Sequence, residues 1–115
     1  LVGSEMCIRD SGQFFDGKAS LVVGTHTHIP TNDARILQNG TGYQTDAGMC
    51  GDYNSVIGMN AENSINRFYK RGSVKHFPAE GEASLCGAII EANPKNGLAS
   101  NISQFVFGGQ LQKDN

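Results

Sequence analysis

The apolar run Leu21-Val22-Val23 passes directly into Gly24-Thr25-His26-Thr27-His28-Ile29-Pro30, and few other stretches of the chain offer candidates for chemistry. The apolar run predicts a buried strand. The glycine after it allows another segment to approach the backbone closely, and the proline ends regular pairing. His26 and His28 therefore fall where a strand runs out into a loop, an arrangement in which a sheet edge presents imidazoles to a metal ion.

The spacing of the two histidines suits metal binding. On an extended backbone, residues two apart point to the same side, with Cα atoms about 6.6 Å apart. Two such imidazoles can share one divalent ion, or serve two ions about 3.5–4 Å apart. The hydroxyls of Thr25 and Thr27 are candidates for orienting these ligands. A catalytic metal site needs further protein ligands, and the alternative is that both histidines are surface side chains bonded to their neighbours.

Four other polar positions are weaker candidates. Asp46 ends a predicted strand, where it either orients a histidine or forms a turn, and we favour the structural interpretation. His76 precedes Phe77-Pro78 and is predicted to be structural or exposed rather than a third ligand. Asp33 and Arg35 are predicted to be loop charges. The site hypothesis therefore depends mainly on the histidine pair.

The amino-acid composition limits which classes of function the chain can have. The 115 residues suit one small domain, and 38% hydrophobic with 17% charged residues predicts a packed core. A net charge of −2 and a pI near 5.8 do not support binding to nucleic-acid phosphates. No apolar run approaches the roughly 20 residues that span a bilayer, and no secretory segment is recognisable. These features predict a cytoplasmic protein with no membrane partner.

The three cysteines are scattered, and none forms a C-x-x-C motif. This pattern does not predict a disulfide framework or a zinc knuckle. It predicts reduced thiols, two of them buried as small apolar residues, in a cytoplasmic protein. The cysteines are Cys7, Cys50 and Cys86.

Turn signals and periodicity predict mostly short strands with one clear helix near residues 60–70. That helix begins at the N-cap Asn60 and buries Ile65, Phe68 and Tyr69. An earlier helix ends at Phe14-Phe15 and is closed by Gly17. The predicted strands cover residues 19–24, 34–38, 42–46, 74–77, 83–92 and 98–107, with turns at Asn39-Gly40 and 93–97, an irregular segment at 47–59 and a frayed end from 108.

Residues 1–11, LVGSEMCIRDS, differ in pattern from the rest of the chain. They show no clean helical or strand period and resemble a translated sequencing-adaptor artefact. We therefore expect them to be a non-native leader, so that the native sequence begins near Gly12, inside a domain.

From Phe14 onward the sequence resembles a known family. GKASLVVGTHTHIPTNDARIL and GTGYQTDAGMCGDYNSVIGM are similar to the YmdB-like 2′,3′-cyclic-nucleotide 2′-phosphodiesterases, a branch of the calcineurin-like metallophosphoesterases. The segments GTHTH-x-P-T, T-D-x-G-M and S-V-I-G-M carry the resemblance. EGEASLCGAIIE and NGLASNI resemble the family's C-terminal hairpin. The resemblance covers residues 12–115.

The resemblance implies an α/β fold in which residues 12–115 form the C-terminal part of a four-layer αββα sandwich. It implies two divalent transition metal ions (Fe, Mn or Zn), with His26 binding one and His28 the other. A hydroxide that bridges the metals would attack the phosphorus of a 2′,3′-cyclic nucleotide and leave a 3′-nucleotide. Thr25, Thr27 and Asp46 would orient the ligands or contact this small substrate. Whether the protein forms a homo-oligomer stays open.

The family's earlier motifs are absent from the chain. They supply an Asp, a Glu, an Asn, an Asn-His pair and a further metal histidine, so the resemblance implies no catalytic residue here. We expect residues 1–115 alone to bind metal weakly and not to catalyse. Since Leu21-Val22-Val23 is apolar on both faces, it predicts a strand with neighbours on each side, and the isolated chain is expected to be marginally stable or to associate through exposed edges.

Two rival interpretations remain at this point. An amidohydrolase-type metal hydrolase also uses His-x-His after a strand, but only His76 is left here as a downstream ligand. The other rival is a non-enzymatic β-rich binding or assembly module in which the histidine pair is incidental.

Overall fold

The computed structural model describes residues 4–68 and 77–111. It has a mixed α/β organisation, which confirms the predicted fold class, with two helices and two three-stranded sheets of orders β1-β3-β2 and β4-β5-β6. The chain divides into two compact units, Leu1–Gly48 with Cys86–Phe105, and Met49–Leu85 with Val106–Asn115. The elements are α1 (Ser4–Phe15), β1 (Leu21–Val23), β2 (Arg35–Ile36), β3 (Gly42–Gln44), β4 (Gly51–Asp52), α2 (Ala61–Phe68), β5 (Ala83–Ala92), β6 (Ala99–Phe107) and a 3₁₀ turn (Gly109–Leu111).

The sheet of the first unit is centred on β3. β1 pairs with it in parallel, Leu21 opposite Gly42, and β2 pairs with it antiparallel. The turn predicted at Asn39-Gly40 is confirmed, since Gly40 has a φ of 103° and donates to the Leu37 carbonyl at 3.0 Å. β1 lies at the sheet edge, where Val23 is 37% exposed. Within the described chain β1 is therefore not buried as predicted, because it has a neighbouring strand on one side only.

The core of the first unit is polar along β3. Thr41 and Gln44 are fully buried and Tyr43 is 2% exposed. Thr41 accepts the Gly17 N–H at 2.8 Å through its hydroxyl, which in turn lies 2.7 Å from the Ala19 carbonyl oxygen. The Gln44 Nε2 donates to the carbonyl oxygens of Thr31 and Asp46, whereas its Oε1 is buried without a hydrogen-bond partner among the described residues. Burial of polar groups costs little where they are bonded.

Helix α1 begins at Ser4, inside the segment expected to be a non-native leader. The fold thus contains a second clear helix besides the one predicted near residues 60–70. α1 packs closely on β3, because a Cβ added to Gly12 would lie 2.6 Å from Tyr43 Cε1. Its predicted end is confirmed at Phe15, and Gly17 follows with a φ of 90°. That residues 1–11 are non-native stays a prediction.

The long hairpin is the best-predicted element. β5 covers the predicted 83–92, and Asn93 N–H donates to the Leu98 carbonyl at 2.8 Å across the turn. Ile90 and Ile102 of the hairpin pack over Gly42, where an added Cβ would lie 3.1 and 3.4 Å from their Cδ1 atoms. Because Gly42 carries no Cβ, this position of β3 leaves room for both isoleucines.

The second unit contains β4, which lies inside the segment predicted to be irregular and pairs Gly51 with Ser84. Helix α2 starts as predicted, with the Asn60 side chain accepting the Asn63 N–H at 3.1 Å. Its predicted apolar stripe is wrong at Ile65, which is 51% exposed. The side chains of Phe68 and Tyr69 and most of the predicted strand 74–77 lie outside the described residues.

One cysteine is buried where two were predicted. Cys86 is 7% exposed because it faces inward on β5, next to Gly48. Cys7 and Cys50 are exposed, on α1 and in the loop before β4. Within residues 4–68 and 77–111, helices are too short or too polar to cross a bilayer.

Candidate functional site

The carboxyl ends of β1 and β3 form one edge of the sheet, because the two strands are parallel. Gly24 to His28 follow β1, and Thr45 and Asp46 follow β3. The pairing continues one step beyond the strands, with Gly24 N–H donating to the Gln44 carbonyl at 3.2 Å and Ala47 N–H to the Gly24 carbonyl at 2.9 Å. In α/β sheets, ligands bind outside the carboxyl ends of parallel strands.

Gly24 lets the two segments approach, as predicted from its place in the sequence. A Cβ at this position would lie 2.3 Å from the Thr45 carbonyl oxygen and 2.9 Å from Ile8 Cγ1 of α1. Both distances are far below van der Waals contact, and the first involves backbone. Only glycine therefore fits between β3 and α1 at the start of residues 24–33, which we call the histidine loop.

A buried carboxylate anchors the histidine loop. Asp46 is 1% exposed, and its Oδ2 accepts the backbone N–H groups of His26 at 2.7 Å and Thr27 at 2.6 Å. The Thr27 hydroxyl lies 2.9 Å from the same oxygen, and Oδ1 accepts the Gly48 N–H at 2.8 Å. The Asp46 carboxylate is thus hydrogen-bonded to the backbone of the histidine loop.

The surroundings of Asp46 favour its ionised form. Burial by itself raises its pKa, but the hydrogen bonds that it accepts, led by those from His26 and Thr27, hold the pKa below the ordinary value of 3.8. A carboxylate accepts hydrogen bonds only. Asp46 therefore acts as a fixed acceptor that orders the donors around it.

The backbone of the histidine loop leaves the extended conformation by His28. β1 ends at Val23, and His28 has a φ of 66°, in the left-handed region. The prediction that both histidines lie on an extended backbone is therefore wrong at His28, where the chain has already left the strand. Such a conformation is uncommon for a residue other than glycine, and it persists where the surroundings fix it. Both histidines and Thr25 are exposed, whereas Thr27 is half-buried against Asp46.

A cleft of about 260 Å³ opens beside the loop. His26 lines it, and its volume is close to the lower end of small-molecule sites, about 300–1,000 Å³. The cleft thus suits a small ligand held near the imidazole of His26. Its lining comes from α1 (Cys7, Ile8, Ser11) and from the two strand ends (Gly24, Thr25, His26, Thr45, Asp46).

Sequence reasoning missed Asp33. Its Oδ1 accepts the Thr31 hydroxyl at 2.7 Å and the Thr45 N–H at 3.1 Å, and its Oδ2 accepts the Thr45 hydroxyl. Burial raises the pKa of Asp33, but these hydrogen bonds outweigh it and lower the pKa. Arg35 lies on β2, so its prediction as a loop charge is wrong, and its Nη1 is 3.6 Å from Oδ2 of Asp33. The Thr-x-Asp spacing is the signal, since Thr and Asp side chains often bond two residues away.

The residues around α1 were missed for another reason. Cys7, Ile8 and Ser11 line the cleft but lie in the segment predicted to be a non-native leader, a prediction that leaves no site there.

The exposed histidine pair has donor chemistry that suits a divalent metal ion. Exposed imidazoles are ordinary ligands for zinc, iron and related ions, and the donor chemistry of His26 and His28 therefore fits. Across residues 4–68 and 77–111 there is no group of three His, Cys, Asp or Glu side chains that could hold a metal ion. His76 lies outside those residues.

Comparisons with known proteins agree with the motif resemblance. A family model described as "YmdB-like protein" matches residues 9–105. The chain is 43% identical over 96 residues to the 2′,3′-cyclic-nucleotide 2′-phosphodiesterase of Bacillus subtilis strain 168. That match covers 84% of this chain and 36% of the relative, so the chain spans about a third of the curated protein's length.

Two solved structures share the fold. The crystal structure of a hypothetical protein from Thermus thermophilus has a TM-score of 0.82 and 36% identity, covering 91% of this chain and 41% of that one. The crystal structure of a novel phosphatase from Mycoplasma pneumoniae has a TM-score of 0.83 and 31% identity, covering 91% and 38%. Because the family model covers most of the chain, the chain belongs to the YmdB-like protein family.

Proposed function

We propose that this chain contributes the histidine loop to a metal-dependent phosphodiesterase that hydrolyses 2′,3′-cyclic nucleotides. His26 and His28 would bind two divalent transition metal ions, Fe, Mn or Zn, one each. Named activities of similar proteins support this, namely the B. subtilis phosphodiesterase and the M. pneumoniae phosphatase. They favour phosphoester hydrolysis over an amidohydrolase or a non-enzymatic module.

One observation carries the proposal: an exposed histidine pair lies on a loop whose backbone is bonded to the buried carboxylate of Asp46. A surface loop with incidental histidines does not need a fully buried anion beneath it. A ligand loop does, because a metal site requires its donors to be held in place before the ion arrives.

Each residue of the candidate site then has a defined role. A pair of bound metal ions would neutralise charge on the phosphoryl oxygens and supply a hydroxide near neutral pH. Asp46 and Thr27 keep the backbone on both sides of His26 fixed. Gly24 keeps α1 and the end of β3 close, and Thr25 lines the cleft in which a small nucleotide would contact the loop.

Residues 1–115 by themselves are proposed to bind metal weakly and not to hydrolyse the substrate. A catalytic metal ion uses three or more protein ligands, and the described residues offer His26 and His28 without a third metal-binding neighbour.

The test is a chimera. The B. subtilis relative would carry this chain's sequence in place of its own aligned 96 residues, and 2′,3′-cyclic AMP hydrolysis would be measured with Mn²⁺. We expect metal-dependent activity that falls at least about 100-fold in His26→Ala and in His28→Ala, with His76→Ala as the matched histidine control. Full activity in both variants would contradict the ligand assignment, and hydrolysis by residues 1–115 alone would contradict the second proposal.

A further inference from the structure

We propose that Asp33 is a positioning residue for the histidine loop, acting through Thr31 and Thr45. The inference rests on the proposed function in one respect, namely that His26 and His28 are metal ligands.

Asp33 joins two segments that are separate in sequence. Its Oδ1 lies 2.7 Å from the Thr31 hydroxyl and 3.1 Å from the Thr45 backbone nitrogen, and its Oδ2 accepts the Thr45 hydroxyl. Thr31 belongs to the histidine loop, whereas Thr45 follows β3. The Asp33 carboxylate therefore links the C-terminal part of the histidine loop to Thr45, the residue that precedes Asp46 at the end of β3.

An ionised Asp33 also sets the direction of the hydrogen bonds. A carboxylate only accepts, so both threonine hydroxyls must donate to it. The Thr31 oxygen is then left to accept the Asp46 N–H at 2.9 Å. The Thr45 oxygen is left to accept the hydroxyl of Tyr43, which lies 3.0 Å away and is buried.

This network reaches the histidines through Asp46. Thr31 bonds the Asp46 backbone through both its hydroxyl and its N–H. The hydroxyl accepts the Asp46 N–H and lies 3.3 Å from the Asp46 carbonyl oxygen, and the Thr31 N–H donates to that carbonyl at 3.0 Å. The Asp46 carboxylate in turn holds the N–H groups of His26 and Thr27. Loss of Asp33 should therefore loosen Thr31, then Asp46, then the backbone beside His26.

The chain offers a matched control at the opposite end of β3. The Asp16 carboxylate accepts the Asn39 N–H at 2.9 Å and the Thr41 N–H at 3.3 Å. Like Asp33 it is a half-buried aspartate that bonds backbone next to β3. Removal of either carboxylate should destabilise the fold. Of the two aspartates, only Asp33 bonds the histidine loop, through Thr31, and the C-terminal end of β3, through Thr45.

The experiment measures Zn²⁺ affinity by calorimetry and amide hydrogen exchange by NMR in the full chain. We expect Asp33→Ala to weaken Zn²⁺ binding about 10-fold or more, as loss of a ligand-orienting partner does, and to speed exchange at His26 and Thr27 selectively. Asp16→Ala should lower the melting temperature but change Zn²⁺ affinity less than about 3-fold. Asp33→Asn keeps an acceptor for Thr31 and should recover part of the affinity.

Wild-type affinity and wild-type exchange in Asp33→Ala would overturn the inference. So would faster exchange spread evenly over the chain, as in Asp16→Ala. If Asp33→Ala does not fold, Asp33→Asn decides, and unchanged affinity and exchange in that variant would overturn the inference. If wild-type Zn²⁺ binding does not depend on His26 and His28, the proposed function fails, while the exchange comparison at His26 and Thr27 still decides whether Asp33 positions the loop.

Discussion

At the scale of single residues, the exposed histidine loop depends on a carboxylate that solvent does not reach. Asp46 accepts hydrogen bonds through both oxygens, and its donors come from both sides of the site edge. The Asp46 carboxylate thus fixes the backbone of the histidine loop from its buried side, while His26 and His28 stay exposed to solvent.

Asp46→Asn tests this anchor. In either amide orientation an NH₂ group faces a backbone donor, so a buried polar group loses its partner, which costs about 1–3 kcal/mol. Urea denaturation should show that loss of unfolding free energy. The exposed Asp10 of α1 provides the matched control, and Asp10→Asn should stay within about 0.5 kcal/mol of wild type. Equal stability of the two variants would contradict the anchor.

The lowered pKa of Asp33 predicts a pH dependence. A group whose pKa is lower in the folded than in the unfolded state contributes stability above its unfolded pKa, and the contribution disappears as the pH falls through the folded pKa. Wild type should therefore melt at a higher temperature than Asp33→Asn at pH 7, and the difference should shrink below about pH 4. A difference that is the same at pH 3 and pH 7 would exclude a stabilising charge on Asp33.

At the scale of elements, the junction of α1, β1 and β3 positions the site. Gly24→Ala should destabilise the fold by about 1–3 kcal/mol, because the new methyl group overlaps the Thr45 carbonyl oxygen and Ile8. The matched control is Gly87→Ala on β5, where an added Cβ meets no atom within 4 Å. Chemical denaturation should show the loss for Gly24→Ala alone, and an equal loss in both variants would show that packing at Gly24 is not the cause.

The sequence predicted elements wherever a turn signal and an apolar pattern agreed. Asn39-Gly40, Gly17 and the 83–92 strand are confirmed for that reason. It did not predict that polar residues such as Gln44 would be buried on β3, because their burial depends on partners far away along the chain.

For the same reason the site was predicted only in part. The histidine pair and Asp46 stand out as residue types beside a strand. The bonds from Asp33 to Thr45, and the contact of Ile8 with Gly24, arise from tertiary packing and leave little local signature.

At the scale of the whole molecule, the edge strand β1 is expected to favour association between copies of the chain. It pairs with β3 on one side, and Val23 is 37% exposed. Open apolar edges pair with other chains, so residues 1–115 should associate as concentration rises. Sedimentation velocity should show this, and Val23→Lys should shift the population toward monomer. A wild-type monomer with a sharp cooperative melt would contradict the prediction.

The most direct test of the metal-site account is a Zn²⁺ titration of residues 1–115 followed through the ring nitrogens of each histidine by NMR. We predict that the His26 and His28 rings shift together, that His26→Ala or His28→Ala each weaken binding, and that His76→Ala leaves it unchanged. Rings of His26 and His28 that do not respond to Zn²⁺, or binding that survives both substitutions, would contradict the account.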